Sequence, residues 1–458
     1  MHMKKSSIII ILLPITIVFI FSVWFLMNIF EGKKPQAEIN PLPDYINKEW
    51  NFNLNVSDLG MGLKDLKVDL RQDGPAITIL EKSFPYEGMF NKKGIHSTKE
   101  EFAVDPKKLG LVQGKVNLYI EIHDFSKRRG GDGNLTIVEH KMTVDTIPPS
   151  ISAITRAHYI NIGGSGLIIY KISTDTSESG VFVGDTFFKG APFIDYENEG
   201  IYVCYFAVPF DFKKGDELYL WAKDRADNER KNSFYYHIRL KKFHSDSITI
   251  TDQILDKLIP NFDAGLFKPD DNNIEKYLFL NKTLRKENHT ALRELCQYPT
   301  NEKLWDGKWL RMKNAATMAS FADRRAYYYK GELIDEEVHL GVDLASLRMS
   351  PVQAANAGKV IYAQDLGIYG QSVVIDHGQG LYSIYGHLSS IETTVDQPVS
   401  KGDVLGYTGS TGLATGDHLH FGFLVHGVPV NPIEWWDSHW IKDNIYRKLD
   451  RVKKILEK

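Results

Sequence analysis

Two stretches, His339-Leu-Gly-Val-Asp343 and His418-Leu-His420, decide the fold that we expect for the C-terminal part of this 458-residue chain. Side chains on a strand alternate between its two faces, so histidines separated by one residue point to the same side. Imidazole nitrogen and carboxylate oxygen both ligate zinc, and a catalytic zinc keeps one of its four positions open. The two stretches therefore predict strands that bring imidazoles and a carboxylate to one metal site.

Further signals lie around these two stretches. Gly341 interrupts the first, a Tyr-Gly-His-Leu segment carries His387, and the glycine-rich segment 409–416 leads into the second. Glycine allows the backbone to approach a ligand closely or to adopt positive φ. This set, a His-x-x-x-Asp, a Gly-His-Leu and a His-x-His, closely resembles that of the lysostaphin-type (LytM-like) zinc metallopeptidases, which cut peptide bonds in bacterial peptidoglycan. The resemblance covers roughly Tyr327 to Trp436.

The resemblance implies a role for each of five polar residues. His339, Asp343 and His420 are expected to bind one Zn²⁺ per chain, and His387 and His418 are expected to be the catalytic residues that face the substrate. Zinc lowers the pKa of a bound water to about 7, and histidine can accept and return a proton near neutral pH. We therefore expect direct hydrolysis by zinc-bound hydroxide. Which of the two histidines acts as the base stays open.

Other residues of this region receive structural assignments. His377 is expected at the end of a strand, and His426 and His439 are expected to have no role in the site. The tyrosines 327–329 just before the first motif have two interpretations. One of them could donate a hydrogen bond to the oxyanion, or each could pack on the sheet, which we favour for any single tyrosine.

The N-terminus predicts a membrane anchor. Lys4 and Lys5 precede an apolar run from Ile8 to Phe30, which is long enough to cross a hydrocarbon core of about 30 Å. The run exceeds the core of a cleavable signal peptide, and no Ala-x-Ala-like site follows it. We expect residues 1–34 to be a cytoplasmic tip and an uncleaved signal anchor. The protein would then be a single-pass protein of the cell inner membrane, with its bulk periplasmic or extracellular.

Composition excludes some partners. A formal net charge of −3 and the lack of a basic tract beyond the N-terminus argue against a nucleic-acid partner. The two cysteines, Cys204 and Cys296, fall in different predicted domains, and two cysteines do not make a disulfide framework. A bridge between them has no support in the sequence.

Two β-rich units are predicted between the anchor and the zinc motifs, at residues 45–145 and 146–245. Each has an early aspartate beside a glycine-containing turn and a late alternating strand that ends in aspartate, at Asp124 and at Asp224. This pattern favours two immunoglobulin-like β-sandwich modules. They could bind wall, partner or substrate, but we favour a role as spacers.

The remaining boundaries follow from periodicity. Residues 246–325 are predicted to be a helical linker or a cleft-covering segment, because apolar residues recur at helical spacing after Asn273 until Pro299 ends the pattern. Residues 326–440 read as many short strands and predict an antiparallel β metallopeptidase domain. Residues 441–458 form a charged tail, expected to be a short exposed helix. The predicted fold class is therefore mainly β.

The predicted function is an exported, membrane-anchored zinc endopeptidase acting on the stem peptides and cross-links of peptidoglycan. We favour D-alanyl to diamino-acid links over glycine bridges, because no separate wall-targeting module is evident. The alternative is a catalytically silent or restrained adaptor that recruits or activates another cell-wall hydrolase, with a cell-wall or division protein as partner. A carboxypeptidase that trims free stem peptides would use the same metal chemistry.

Overall fold

The computed structural model describes residues 5–457 except 195 and 214, so Lys4 of the predicted basic flank lies outside the described residues. The chain divides into two compact units. The first comprises Met1–Pro148 with Arg225–Asn228, and the second comprises Pro149–Asp224 with Glu229–Lys458. Strands hold 42% of the residues and helices 20%, which confirms a mainly β fold.

The N-terminal helix spans Lys5–Ile29. Its segment Leu12–Ile29 is long and apolar enough to cross a membrane, and none of it is buried against the protein. Length and composition of this kind fit either a membrane span or a signal sequence. The predicted apolar helix is therefore confirmed.

The first β module lies in the first unit and consists of two sheets around one core. One sheet has three antiparallel strands in the order Gln36–Asn40, Trp50–Ser57, Ser97–Val104. The other has five strands in the order Tyr45–Ile46, Leu135–Val144, Gly114–Asp124, Leu63–Arg71, Ile77–Ser83. Alternate residues point inward, and they bury Phe52, Leu54 and Val56 on one side and Leu118, Ile120 and Ile122 on the other.

The second β module lies in the second unit and consists of two sheets with four strands each. The strand order of one sheet is Ala191–Pro192, Ile201–Ala207, Ser165–Ile172, Ile151–Ala153. The strand order of the other is Thr186–Lys189, Thr176–Val183, Leu218–Asp224, Glu229–Ser233. His158–Asn161 and Tyr236–Arg239 form an additional parallel pair. Both modules are thus two-sheet arrangements, and their immunoglobulin-like character stays a prediction.

A helical segment follows. Its helices are Asp252–Leu258, Asn273–Leu278 and Arg285–Leu295, with a π-helical turn at Phe279–Leu284. Asn272 caps the second helix, because its side chain accepts from the backbone of Ile274 and Glu275 while Glu275 bonds back to it.

The predicted helical texture is wrong beyond residue 296. Residues 297–315 are irregular, and the strands Ala316–Ala319 and Arg324–Tyr329 follow. Trp305 and Trp309 are four apart, as on a helix, but both are anchored in the core of the second unit by packing on other aromatic rings. Tertiary packing overrides the local pattern here.

The C-terminal sheet contains ten strands. Seven follow one another in the order Ala316–Ala319, Val342–Ala345, Leu419–Val425, Leu381–Ile391, Gln371–Asp376, Gly358–Asp365 and Pro398–Val399. Pro351–Gln353, Val404–Thr408 and Val428–Val430 pair at its sides. A smaller sheet of Ser245–Ile250, Arg324–Tyr329 and Glu332–Val338 lies beside it in sequence. Every neighbouring pair in the ten-stranded sheet is antiparallel, as predicted.

One hydrophobic core extends through the second β module and the C-terminal sheet. Tyr205 of the module packs on Trp305 and Trp435, and Trp435 stacks on Phe423 of the sheet. All are buried in the same cluster, with Trp309 at its centre against Phe423. The second module is therefore part of the same folded body as the sheet.

The C-terminal tail is helical, as predicted, but it is not simply exposed. After the short helices Ile433–Trp436 and Ser438–Ile441, residues 441–458 contain the π-helical Lys442–Tyr446 and the helix Arg447–Leu456. Ile445 and Val452 are buried in the shared core, and the Lys448 ammonium donates to the carbonyl of Leu167. The apolar residues repeat at helical spacing and cover the second module, so one face of the tail is interior.

Both cysteines carry free, buried thiols. Cys204 lies in the strand Ile201–Ala207, and Cys296 follows the helix Arg285–Leu295. Burial raises the pKa of each thiol well above its ordinary value.

Candidate metal centre and catalytic cleft

Adjacent strands of the C-terminal sheet bring the two predicted motifs together. Asp343 lies on Val342–Ala345, which pairs with Leu419–Val425, and Asp343 is directly opposite His420. His339 follows the strand Glu332–Val338 and reaches the same point from the loop. All three side chains are buried.

Three ligand atoms of these residues converge. His339 Nε2 lies 2.9 Å from Asp343 Oδ1 and 3.0 Å from His420 Nδ1, and His420 Nδ1 lies 3.0 Å from the same carboxylate oxygen. The outer nitrogen of His339, Nδ1, donates to the carbonyl of Ser320 at 3.0 Å. In the neutral ring Nε2 is then an acceptor facing a carboxylate oxygen, so the pair needs a shared cation or proton.

The residues fit a zinc ion. Two ligand atoms held about 2.0–2.2 Å from one tetrahedral zinc are roughly 3.3–3.6 Å apart, so a bound zinc would need the three ligand atoms to separate by about half an ångström. The donor set of two imidazoles and one carboxylate is a zinc set with one open position. His420 Nε2 is buried and has no hydrogen-bond partner among the described residues. That nitrogen is free to carry the ring proton while Nδ1 faces the metal position.

Gly341 makes room for His420. A Cβ on this glycine would lie 2.5 Å from His420 Cε1 and Nε2, and 2.8 Å from the carbonyl oxygen of Phe421. Real side chains do not approach so closely. The glycine within the first motif is therefore required by the seat of the imidazole on the neighbouring strand.

His387 and His418 lie beside the three converging residues. Their ring centroids are 4.8 Å apart, and His387 is 5.8 Å from the ring of His420. His387 Nδ1 donates to the carbonyl of Thr411 at 2.8 Å, and His418 Nδ1 donates to that of Gly416 at 2.8 Å. Each ring is thus oriented by backbone and keeps Nε2 available. His387 holds this position with a φ of 62°, which is unusual for a residue other than glycine.

The electrostatic environment separates these two histidines. Burial lowers the pKa of His387 well below its usual value, and the nearby His418 and His420 lower it further. Burial also acts to lower the pKa of His418, but its interaction with Asp343, whose Oδ1 is 3.6 Å from Nε2, outweighs this and the pKa is raised. His387 therefore favours the neutral ring, and His418 holds a proton more readily.

Two residues of the site were not predicted from the sequence. Arg325 lies 3.2 Å from Asp343 Oδ2 and binds the carboxylate oxygen that faces away from the histidines. Tyr369 packs on the ring of His420 with centroids 5.1 Å apart. Arg325 could have been found, because it is two residues before Tyr327 on one strand and both line the same cavity. No comparable signal marks Tyr369.

A cavity of about 400 Å³ contains the site. His339, Asp343, His387, His418 and His420 all line it, so the structure brings all five predicted residues together. Residues from the segment before the sheet, among them Ile250, Leu258, Tyr277 and Arg285, line it as well. That segment forms part of the cavity wall.

The residues with structural assignments lie apart from the site. His377 follows the strand Gln371–Asp376, as predicted, and it is bonded to the carbonyl of Ala357 and to Ser383. His426 is buried against Phe188, and His439 is exposed.

The three tyrosines differ from one another. Tyr327 is buried, packs edge-on against Tyr277 and lines the cavity. Tyr329 donates to Asp252 at 2.8 Å. Of the three tyrosines, Tyr327 alone lines the described cavity. It is therefore the tyrosine to which the predicted hydrogen bond to the oxyanion applies.

Residues 337–432 match the family model described as Peptidase family M23. This region is an M23 peptidase domain of the lysostaphin-type, LytM-like kind. The M23 domain is 38% identical over 96 residues to the DD-carboxypeptidase/endopeptidase Mpg of Neisseria meningitidis serogroup B. The aligned residues make up 21% of this chain and 22% of that protein. The domain is equally similar, with the same coverage, to the peptidoglycan DD-endopeptidase ShyA of Vibrio cholerae. The match thus spans about a fifth of the length of these curated relatives.

The chain is also similar to a solved structure, the catalytic domain of the antimicrobial peptidase lysostaphin from Staphylococcus simulans. The two are 25% identical, and the alignment covers 29% of this chain and 98% of the other, with a TM-score of 0.25.

Proposed function

We propose that the protein is an exported, membrane-anchored zinc endopeptidase that hydrolyses the peptide cross-links of peptidoglycan. The observation that carries this proposal is the convergence of His339 Nε2, Asp343 Oδ1 and His420 Nδ1 within 3.0 Å of one another, inside an M23 peptidase domain. The intact set of potential ligands favours an active enzyme over a silent adaptor.

Each of the three converging residues has a support that fixes its orientation. Ser320 holds His339 by its carbonyl, Arg325 holds the far oxygen of Asp343, and Gly341 leaves space for His420. These three would hold the zinc ion. When bound, zinc would polarise the scissile carbonyl and acidify a water in its open position.

His387 and His418 would handle the proton. The Thr411 carbonyl fixes the Nδ1 proton of His387, so its Nε2 can accept a proton from the attacking water. His418, whose pKa is raised by Asp343, would hold a proton at Nε2 and donate it toward the charge that develops on the scissile carbonyl. Arg325 neutralises part of the Asp343 charge and stays outside the proton path.

The substrate class rests on the relatives. Mpg and ShyA are named as DD-carboxypeptidase/endopeptidase and DD-endopeptidase, which favours D-alanyl links over glycine bridges. The apolar helix Lys5–Ile29 would anchor the chain in the inner membrane and leave the catalytic unit outside, where its substrate lies. The residues that precede the C-terminal sheet and line the cavity would restrict access to extended peptides.

The test uses the full-length chain in detergent. We expect one zinc per chain by elemental analysis, and release of linked-peptide products from purified sacculi that a chelator abolishes and added zinc restores. Products from purified cross-linked dimers, identified by mass, separate an endopeptidase from a carboxypeptidase. Stoichiometric zinc with no change in muropeptides would favour the adaptor instead.

Two neighbouring variants separate the roles. His420→Ala should lose both zinc and hydrolysis, because one of three metal ligands is removed. His418→Ala should keep zinc and lose hydrolysis by about 100-fold or more, because only proton transfer is affected. If His418→Ala instead loses zinc while His420→Ala retains it, the proposed division is wrong.

A further inference from the structure

A second group of carboxylates lies in the first unit, far along the chain from the peptidase residues. Glu31, Asp58 and Asp124 each offer an oxygen within 4.8 Å of the other two. Glu31 comes just after the N-terminal helix, Asp58 follows the strand Trp50–Ser57, and Asp124 ends the strand Gly114–Asp124. The first β module and the segment that enters it from the helix thus contribute to one acidic cluster.

Asp58 leaves one oxygen unsatisfied. Its side chain is 2% exposed, and Oδ2 accepts from the backbone of Gly60 and of Gly62 at 3.0 and 2.7 Å. Its Oδ1 is buried and has no hydrogen-bond partner among the described residues. A buried carboxylate oxygen without a partner costs free energy of folding, so this atom calls for a ligand.

Asp124 and Glu31 are held in place around that oxygen. Asp124 is fully buried and accepts from the backbone of Ser126 and Asn134 at 2.9 and 2.6 Å. The Asn134 amide bonds to Asp124 Oδ2 and to the Glu31 backbone, and the Ser126 hydroxyl donates to the same backbone carbonyl. The Lys33 backbone N–H donates to the Glu31 carboxylate at 2.7 Å, so the carboxylates of both residues are oriented before any ligand arrives.

Among the side chains that the structure describes, no lysine or arginine forms an ion pair with any of the three carboxylates. Burial, with Asp124 nearby, raises the pKa of Asp58, and burial also raises that of Glu31. Three like charges held this close require a compensating cation or a shared proton.

The same positions recur in the second β module. The strand Leu63–Arg71 pairs with Gly114–Asp124 so that Leu63 opposes Asp124, and Thr176 opposes Asp224 in the corresponding pair of strands. Asp175 comes one residue before that strand and Asp58 five residues before the first, and the Oδ1 of Asp175 is likewise buried without a hydrogen-bond partner among the described residues. One aspartate, Asp124 or Asp224, thus has the same register position in both modules.

We propose that Glu31, Asp58 and Asp124 bind a calcium ion that ties the chain leaving the N-terminal helix to the first β module. Calcium prefers hard oxygen ligands at about 2.3–2.6 Å, so oxygens bound to one ion lie up to roughly 4.6–5.2 Å apart. Magnesium usually keeps several of its waters and is seldom held by protein oxygens alone, whereas three protein carboxylates fit calcium.

The test measures calcium binding to the zinc-loaded, full-length chain in detergent, by equilibrium dialysis with radioactive calcium after calcium removal. We expect Asp58→Asn to bind one equivalent less than the wild type, because Asn keeps the turn but loses the charge. Asp73→Asn removes the same charge from an exposed turn of the same module and should bind as the wild type does. Glu31→Gln, outside the strands, provides a second variant that leaves the core untouched.

The same samples are heated with and without calcium. Calcium should raise the melting temperature of the wild type and of Asp73→Asn by several degrees, and should leave Asp58→Asn unchanged. Equal calcium binding in Asp58→Asn and the wild type, or an equal loss in Asp73→Asn, overturns the proposal. Zinc content and sacculus digestion in these samples report on the peptidase separately, so either proposal can fail while the other stands.

Discussion

The first β module keeps a core of its own, whereas the second shares one with the C-terminal sheet. Both have two sheets with an aspartate at the same register, yet only the second offers Tyr205 to the tryptophans of the peptidase region. Similar repeats thus have different structural roles. The aromatic contacts of Tyr205, rather than the strand pattern, join the second module to the peptidase region.

The largest effect is expected from Trp309→Ala. Trp309 is buried against His377, Phe423 and Trp435, and its removal should destabilise the second unit by about 5 kcal/mol. Calorimetry should show one transition, that of the second module and the M23 domain together, moving to lower temperature. If the second module and the M23 domain instead melted in two separate transitions, they would not share one cooperative core. Tyr298→Ala, at an 88% exposed residue, should leave the transition in place.

Phe52→Ala tests whether the first β module has a core of its own. Phe52 stacks on Phe102 with centroids 5.3 Å apart inside the first module, and its loss should cost about 3–4 kcal/mol. We expect only the transition of the first unit to shift, while hydrolysis of soluble cross-linked dimers keeps its rate. A parallel fall in that rate would show that the catalytic unit depends on the first module.

Gly341→Ala probes the fit around His420. The added methyl group would displace the His420 imidazole and press on the backbone carbonyl of Phe421, so we expect hydrolysis to fall about 100-fold, zinc to bind more weakly and the melting temperature to fall. Gly74→Ala, in an exposed turn of the first module, meets open space and should retain activity. Equal rates for the two variants would contradict the tight fit around His420.

The smallest effect concerns Glu434, which joins the second module to the M23 domain. It accepts from Asn161 and Ser165, and burial raises its pKa to about 7. The folded state then binds more protons than the unfolded one, so stability should rise by roughly 1 kcal/mol per unit as pH falls from 7 to 5. Denaturant titrations should show Glu434→Gln lacking this component. If the free energy of unfolding depends on pH identically in the wild type and in Glu434→Gln, Glu434 does not cause the effect.

Much of the M23 domain could be predicted from sequence because its strands carry a regular pattern. Residues 326–440 were expected to form short antiparallel strands, and the two motifs together with the Gly-His-Leu segment predicted the five polar side chains that line one cavity. Arg325 was missed: its spacing from Tyr327 places both on one face of a strand, but its ion pair with Asp343 joins different strands and leaves no local pattern.

The core that the second β module shares with the C-terminal sheet could not be predicted from the sequence either. Trp305 and Trp309 have helical spacing but are held in an irregular segment by rings that are distant in the chain. The tail was expected to be exposed because it is charged, yet Ile445 and Val452 are buried in the shared core. Local periodicity reports local structure, and these contacts are not local.

The free thiols of Cys204 and Cys296 have a consequence for how this protein matures. The thiolate is the form that reacts, and both groups are enclosed and held protonated. Assembly of the catalytic unit therefore needs no oxidase or disulfide isomerase, and oxidants outside the cytoplasm have little access to its sulfur atoms. Such a chain can be produced in a reducing host and moved into an oxidising medium without forming wrong cross-links.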